Sequence, residues 1–284
     1  MEKFAVFILS NGRPNSQITL EVLLKNGYTG KWFIVVDDLD ETINEYIENY
    51  GKNRIIIFDK LKEYKITDTM SIGNNPNILK SVLYARNFVQ RYAQQNGYKF
   101  YFMSDDDMTE VRYRYKDGKA LRGKSVTNFD GVIKHYIDFL KSSEHIYSLG
   151  FARGSAFIGG LSGWKDKKFS YGVYANAFMK AKNNTKFYGI ITEDLNASVT
   201  DIKVGKLHLS PVIMHLLTRE KSKFEGGMTP IYEEGLYQTM FYGVMANPDV
   251  CSINLNKNNK LILRTNWRNV VPKVLSENIK KVAK

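Results

Sequence analysis

Residues 98–108 read Y-K-F-Y-F-M-S-D-D-D-M, and the fold turns on what that stretch becomes. Phe100, Tyr101, Phe102 and Met103 form an aromatic and apolar run of strand length, bounded by a turn. It stops abruptly in Asp105, Asp106 and Asp107. Adjacent aspartates repel one another unless a cation sits between them, and hard divalent cations prefer carboxylate oxygens. The C-terminal end of a buried strand is also where an open α/β sheet places its ligands. A polar loop with solvated acids is the plain alternative for D-D-D taken alone.

Upstream, the pattern is a parallel sheet. Residues 3–9 (K-F-A-V-F-I-L) are nearly all apolar, as in a central strand covered on both faces. A polar turn follows, Ser10-Asn11-Gly12-Arg13-Pro14. Residues 19–26 read as a short amphipathic helix with Leu20, Leu23 and Leu24 on one face and Gly27 as its stop. Residues 32–36 are a second apolar strand ending in Asp37-Asp38. Ile43, Tyr46, Ile47 and Tyr50 are spaced helically ahead of Gly51, and residues 54–58 form a third strand. The spacing predicts one long helix over 77–96, with Ile78, Val82, Ala85, Val89, Tyr92 and Ala93 as its apolar stripe and Arg86-Asn87 within it. Alternating strands and helices of this kind imply a parallel sheet with right-handed crossovers.

The second half is less regular. Residues 116–124 read as a basic turn, 129–140 as a helix and 146–149 as a strand. Residues 157–164 are glycine-rich without the order of a phosphate loop. Residues 189–194 deliver Glu193 and Asp194, with Thr192 placed to cap a helix through Ala197. A strand region over 204–209, the segment 211–215, a loop over 221–229, a helix over 232–244 and a basic C-terminal helix over 272–284 complete the pass.

Composition bounds the classes. With 284 residues and 43% hydrophobic content the chain can bury a sizeable core. No apolar run approaches the roughly 18 residues needed to span a bilayer, and the start lacks a signal-peptide pattern. The single cysteine, Cys251, excludes an intrachain disulfide and a zinc-thiolate cluster, so a reducing, cytoplasmic setting is expected. The net charge of +12 favours a polyanionic partner.

The order of these features carries a resemblance: apolar strand, S-x-G-R, strand ending in D-D, helix with R-N, strand ending in D-x-D, then a distant E-D and a later His. It resembles the GT-A superfamily of nucleotide-sugar glycosyltransferases. The opening F-I-L-S-N-G-R-P-N with V-V-D-D and S-D-D-D is more particularly similar to the TET-associated glycosyltransferases, known mostly from phages and implicated in glycosylating hydroxylated cytosines in DNA. The likeness spans about 110 residues; beyond them only Glu193-Asp194 and, loosely, His215 match. It implies an α/β, GT-A (Rossmann-like) fold with a mostly parallel central sheet flanked by helices. One fused catalytic domain would comprise a donor half, residues 1–110, and an acceptor-binding and catalytic half, residues 111–284. A phage-encoded member would act in the host cytoplasm.

The resemblance also implies roles. A UDP-sugar is the donor, Mn²⁺ or Mg²⁺ the cofactor, and 5-hydroxymethyl- or 5-hydroxycytosine in DNA the acceptor. Asp105 and Asp107, two apart on an extended segment, point to one side and can share an ion, with Asp106 left as a ribose or metal contact. His215 would complete the coordination, with His208 as its competitor. Ser10, Gly12, Arg13, Asp37, Asp38, Arg86 and Asn87 would bind the nucleotide. Asp194 would be the general base of an inverting reaction, with Glu193 as the alternative. Arg112, Arg114, Lys116, Lys119, Arg122 and Lys124 around Tyr113 and Tyr115 suit a phosphate backbone. A cell-surface glycan or protein as acceptor, a non-catalytic nucleic-acid-binding protein and a two-metal nuclease are the competing readings.

Overall fold

The computed structural model describes residues 3–71, 75–152, 169–172, 175–219, 227–233, 236–256, 259 and 261–272. Strand β1 (Phe4–Leu9) is buried on both faces, which is why its sequence does not alternate. The donor half continues through α1 (Ile18–Lys25), β2 (Trp32–Asp37), α2 (Ile43–Tyr50), β3 (Ile55–Phe58), α3 (Lys60–Ile66), α4 (Leu83–Gln95) and β4 (Phe100–Asp105). There follow β5 (Met108–Asp117), β6 (Ala120–Ser125), α5 (Phe129–Lys141), β7 (Ile146–Gly150), β8 (Phe169–Tyr171), β9 (Ala177–Lys180), α6 (Glu193–Lys203), β10 (Leu207–Pro211) and β11 (Met214–Thr218). Helices Thr229–Glu233 and Leu236–Ala246, the hairpin β12 (Cys251–Leu255) and β13 (Leu261–Thr265), and a helical turn Trp267–Val270 close the described chain.

Eight strands form one sheet in the order β3-β2-β1-β4-β9-β7-β10-β8. β3 to β4 run parallel, as do β7 and β10, whereas β9 and β8 are antiparallel to their neighbours. Helices cover both faces. Val6 and Ile8 of β1 pack with Leu20 and Leu23 of α1, Tyr46 of α2 and Phe129 and Ile133 of α5. Ala5, Phe7 and Leu9, pointing the other way, meet Leu83, Tyr84, Val89 and Ala93 of α4. Leu9 lies opposite both Val35 and Asp105, so β1, β2 and β4 end level and deliver Ser10, Asp37 and Asp105 to one edge.

Several expectations are revised. The predicted helix over 77–96 is a 3₁₀ turn, Ile78–Lys80, followed by α4. Ser81 separates them: its hydroxyl donates to Ile190 O and accepts from Leu83 N, and α4 begins at Leu83, later than the apolar stripe suggests. The basic turn is in fact the loop end of the β5–β6 hairpin, where Asp117 pairs with Ala120 and Gly118-Lys119 make the two-residue turn, Gly118 at φ +56°. Thr192 does not cap α6 through its side chain; it sits at φ +60° and its hydroxyl donates to Ile191 O. The helix it precedes runs on to Lys203, and residues 232–244 fall in two helices. Residues 157–164, 221–226 and the C-terminal helix beyond 272 lie outside the described residues. Among the described residues no helix is long and apolar enough to cross a membrane.

Candidate active site

The level ends of β1, β2 and β4 floor a cavity of about 840 Å³, a size typical of small-molecule sites. Of the expected site residues, Ser10, Arg13, Asp37, Arg86, Asp105, Asp106, Asp107, Glu193 and Asp194 line it. Gly12, Asp38, Asn87 and His215 are not among its lining residues.

The triple aspartate is parted where β4 ends: Asp105 closes the strand, and Asp106 and Asp107 form the turn into β5. Thr19, on α1, holds the turn: its hydroxyl donates to Asp105 O and accepts from Met108 N, and its amide donates to Asp106 O. With the backbone so pinned, Asp106 turns inward, where it accepts from Ser10 Oγ at 2.6 Å and pairs with Arg13 Nη1 at 2.9 Å. Burial pushes its carboxyl up, against the pull of Arg13 and Ser10. Asp105 and Asp107 line the cavity. Ser10 also bonds Tyr46 Oη and Gln17 Nε2, so its hydroxyl belongs to a buried network rather than to an open ligand position.

The loop after β1 is tied to the end of β2. Gly12, at φ +66°, donates its amide to Asp40 Oδ2, and Arg13 N donates to Tyr46 Oη. Asp37 accepts from Asn11 Nδ2 at 3.0 Å and from the buried Lys60 Nζ at 2.8 Å. Asp38 is exposed and accepts from Lys60 N, the start of α3. Its place is a helix start, not the cavity.

Arg86 is 2% exposed. Its Nε meets Glu193 Oε1 at 2.9 Å, its Nη2 meets Asp105 Oδ1 at 3.0 Å, and its Nη1 donates to Ala175 O. All three nitrogens are thus occupied by protein, so Arg86 orients two carboxylates rather than offering a fork to phosphate. Asn87, a neighbour on the helix and about 100° round from it, pairs with the amide and carbonyl of Phe187. Burial, with the nearby Asp194 carboxylate, raises Glu193 to about 7 against the attraction of Arg86. Asp194 is half-buried and accepts from Leu195 N and from Ala175 N. Of the two acids in the E-D pair, Asp194 is the one without a guanidinium against it in the described contacts.

Neither histidine reaches a metal as arranged. His215 is buried on β11, and Arg114 Nη2 lies 3.1 Å from its Nδ1. A guanidinium only donates, so Nδ1 must accept and a neutral ring carries its proton on Nε2, leaving no lone pair for an ion. Burial, Arg114 and Arg112 hold its pKa below the usual histidine value. His208 has Ser148 Oγ on Nδ1 at 2.6 Å and Asp201 on Nε2 at 3.0 Å, a closed structural arrangement. Among the described residues no three His, Cys, Asp or Glu side chains form a metal cage. The donor set that remains, Asp105 and Asp107 beside open volume, suits an octahedral cation that takes one or two carboxylates and fills its shell with phosphate and water.

A sequence model of the TET-associated glycosyltransferases matches residues 4–227. The chain belongs to that family. No protein of curated function matches the sequence. Among solved structures the chain is similar to glucosyl-3-phosphoglycerate synthase from Mycobacterium tuberculosis with Mg²⁺ and UDP, at 9% identity, TM-score 0.46 and coverage of 93% of this chain and 87% of that one. The same enzyme with Mn²⁺, UDP-glucose and phosphoglyceric acid gives 10% identity and TM-score 0.45 over 94% and 91%.

In this TET-associated glycosyltransferase several cavity residues escaped the sequence reading. Asn11 and Lys60 reach Asp37, and Lys80 is among the lining residues. Asn11 lies inside the S-N-G-R turn and was legible as a polar residue after a core strand. Lys60, a lysine in a charged helix, gave no signal. Leu263, Thr265 and Trp267 wall the cavity from beyond the family match, and only the folded chain brings them there.

Proposed function

We propose that the chain transfers a sugar from a UDP-sugar to a hydroxylated cytosine in DNA, in a divalent-metal-dependent, inverting reaction. One observation carries the reading: a single buried guanidinium, Arg86, ties Asp105 at the strand end to the helix that presents Asp194, at one cavity. Asp105 and Asp107 would hold Mn²⁺ or Mg²⁺, which supplies Lewis-acid neutralisation of the departing diphosphate. Asn11, in the loop after β1, and Asp37, at the end of β2, lie together at the cavity, where hydrogen bonds to the nucleoside are available. Asp194 takes the proton of the acceptor hydroxyl as that oxygen bonds the anomeric carbon and the bond to the diphosphate breaks. Glu193, pinned by Arg86, fixes that arrangement instead of acting as the base.

Support for DNA as acceptor is the family's TET association and the net charge of +12. A cytosine inside a duplex must leave the stack before its hydroxyl can enter the cavity. A reducing cytoplasm, that of a host cell for a phage protein, fits the lone cysteine.

The test is a thermal-shift titration with UDP, GDP, CDP and ADP, each with and without Mn²⁺. A ligand that binds only the folded state raises the melting point by mass action. UDP with Mn²⁺ is expected to shift it selectively, Asp107→Ala to abolish that shift, and Asp194→Asn to keep it while turnover on DNA falls about 10²-fold or more. A chain that responds to no nucleotide overturns the reading.

A further inference from the structure

We propose that the β5–β6 hairpin is the arm by which this chain grips the phosphate backbone of duplex DNA next to the cavity. The proposal rests on the reading of DNA as acceptor and names the surface that would hold it. The hairpin is fixed at its root: Met108 and Val111 lie in the core, and β11 pairs along β5 from Met108 to Tyr113. Beyond that root it projects. From Tyr115 to Ser125 every residue except Leu121 is exposed. A two-stranded ribbon without a covered face is marginal by itself, so its composition reflects what its surface meets.

That surface is cationic. Lys116, Lys119, Arg122 and Lys124 stand on the exposed part against one acid, Asp117, which pairs with Arg122. The register keeps like charges from facing each other, since Lys124 lies opposite Tyr113, Arg122 opposite Tyr115 and Lys116 opposite Leu121. Four cations can therefore share a narrow ribbon without the penalty of directly opposed like charges. No Asn or Gln occurs in β5 or β6, the side chains that pair with adenine edges. The lysines and arginine suit phosphate contacts, which position a duplex. Tyr113 and Tyr115 lie against each other, their ring centroids 6.0 Å apart, rather than standing apart as a platform for unpaired bases.

The geometry links arm and cavity. β5 begins at the residue after Asp107 and runs ten residues, about 33 Å at strand rise. That is about one turn of B-form DNA. A duplex whose target base lies at Asp107 would thus run past Lys116 and Lys124 within the same turn.

The experiment compares the wild-type chain with K116A/K119A/R122A/K124A. Binding to a fluorescein-labelled duplex of about 20 base pairs carrying 5-hydroxymethylcytosine is followed across a sodium chloride series. Each phosphate that is no longer neutralised should make the slope of log affinity against log salt shallower by about 0.9. With Arg122 and Lys124 on one face of the ribbon, Lys119 at its tip and Lys116 on the other face, the variant is expected to bind at least tenfold more weakly, with a slope shallower by about 2 to 3, and to keep the wild-type thermal shift with UDP and Mn²⁺, which shows it folded. A control with the same charge loss elsewhere, K25A/K52A/K62A/K65A, is expected to keep the wild-type slope. Unchanged affinity and slope in the hairpin variant, or equal losses in both variants, overturn the proposal while leaving the acceptor reading standing. A wild-type chain that takes up UDP and Mn²⁺ but shows no salt-dependent binding to the duplex overturns both.

Discussion

Arg86, buried with Glu193, joins that carboxylate to Asp105, whose side chain is 30% exposed at the cavity. Removing one member of such a buried group strands the others' charge, a loss of about 3–5 kcal/mol where it has been measured. Glu193 bears most of the tension, since burial raises it from its ordinary 4.5 to about 7. A carboxyl raised on folding binds a proton in the folded chain that the unfolded chain has released. Between those two values the folded state therefore holds more protons, and stability contributed by this group falls as the pH climbs. The expected outcome is a wild-type melting point that declines from about pH 5 to about pH 7.5, with a flatter profile for Glu193→Gln followed by circular dichroism. Parallel profiles would remove Glu193 as the titrating group. At this scale the sequence disclosed which acids gather but not which way each points. D-D-D and E-D are visible as letters, whereas the inward turn of Asp106 depends on Thr19, some 87 positions away by number, and on Arg13. His215 looked like a ligand because nothing in its neighbourhood of the sequence announces Arg114 on its ring.

Elements were legible where burial on both faces leaves a continuous apolar run. β1, β2 and β4 have that signature, and their level ends follow from parallel pairing. β9 does not. Its four residues, Ala177–Lys180, are too short to show a period, yet it enters the sheet antiparallel between β4 and β7. Phe178 is what it contributes: the ring stacks on Phe102 at 4.4 Å and lies 4.6 Å from Tyr136 and 5.9 Å from Phe151. It is fully buried. Truncating a large aromatic at such a place removes its transfer energy and leaves a cavity, together about 3–5 kcal/mol. Phe178→Ala is expected to lower the urea midpoint accordingly without changing the slope of the transition, and a loss below about 1 kcal/mol would show the surrounding rings closing over the gap. The β5–β6 hairpin was missed for the opposite reason. Its outer residues are charged on both faces, so neither alternation nor a run was there to see, and only Gly118 marked the turn.

Across the whole molecule, the family match ends at residue 227 while the architecture does not. α6, which presents Glu193 and Asp194 at its first turn, turns Leu195, Val199 and Ile202 toward Val250, Cys251 and Val270. Asn247 adds a buried hydrogen bond to Asn196 at 3.2 Å. The C-terminal unit is therefore the other half of the core that holds α6, besides walling the cavity with Leu263, Thr265 and Trp267. Exposing three buried aliphatic side chains costs about 1.5–3 kcal/mol each, and a domain's net stability is only about 5–15 kcal/mol. The loss is large enough to decide folding. A chain ending at residue 227 is expected to lose its cooperative thermal transition and to bind an apolar dye such as ANS, whereas a chain ending at residue 272 melts cooperatively and keeps its response to UDP and Mn²⁺. A shorter chain with both a sharp transition and full turnover would show that α6 stands without this support, and that the amides of Ala175 and Leu195 suffice to position Asp194.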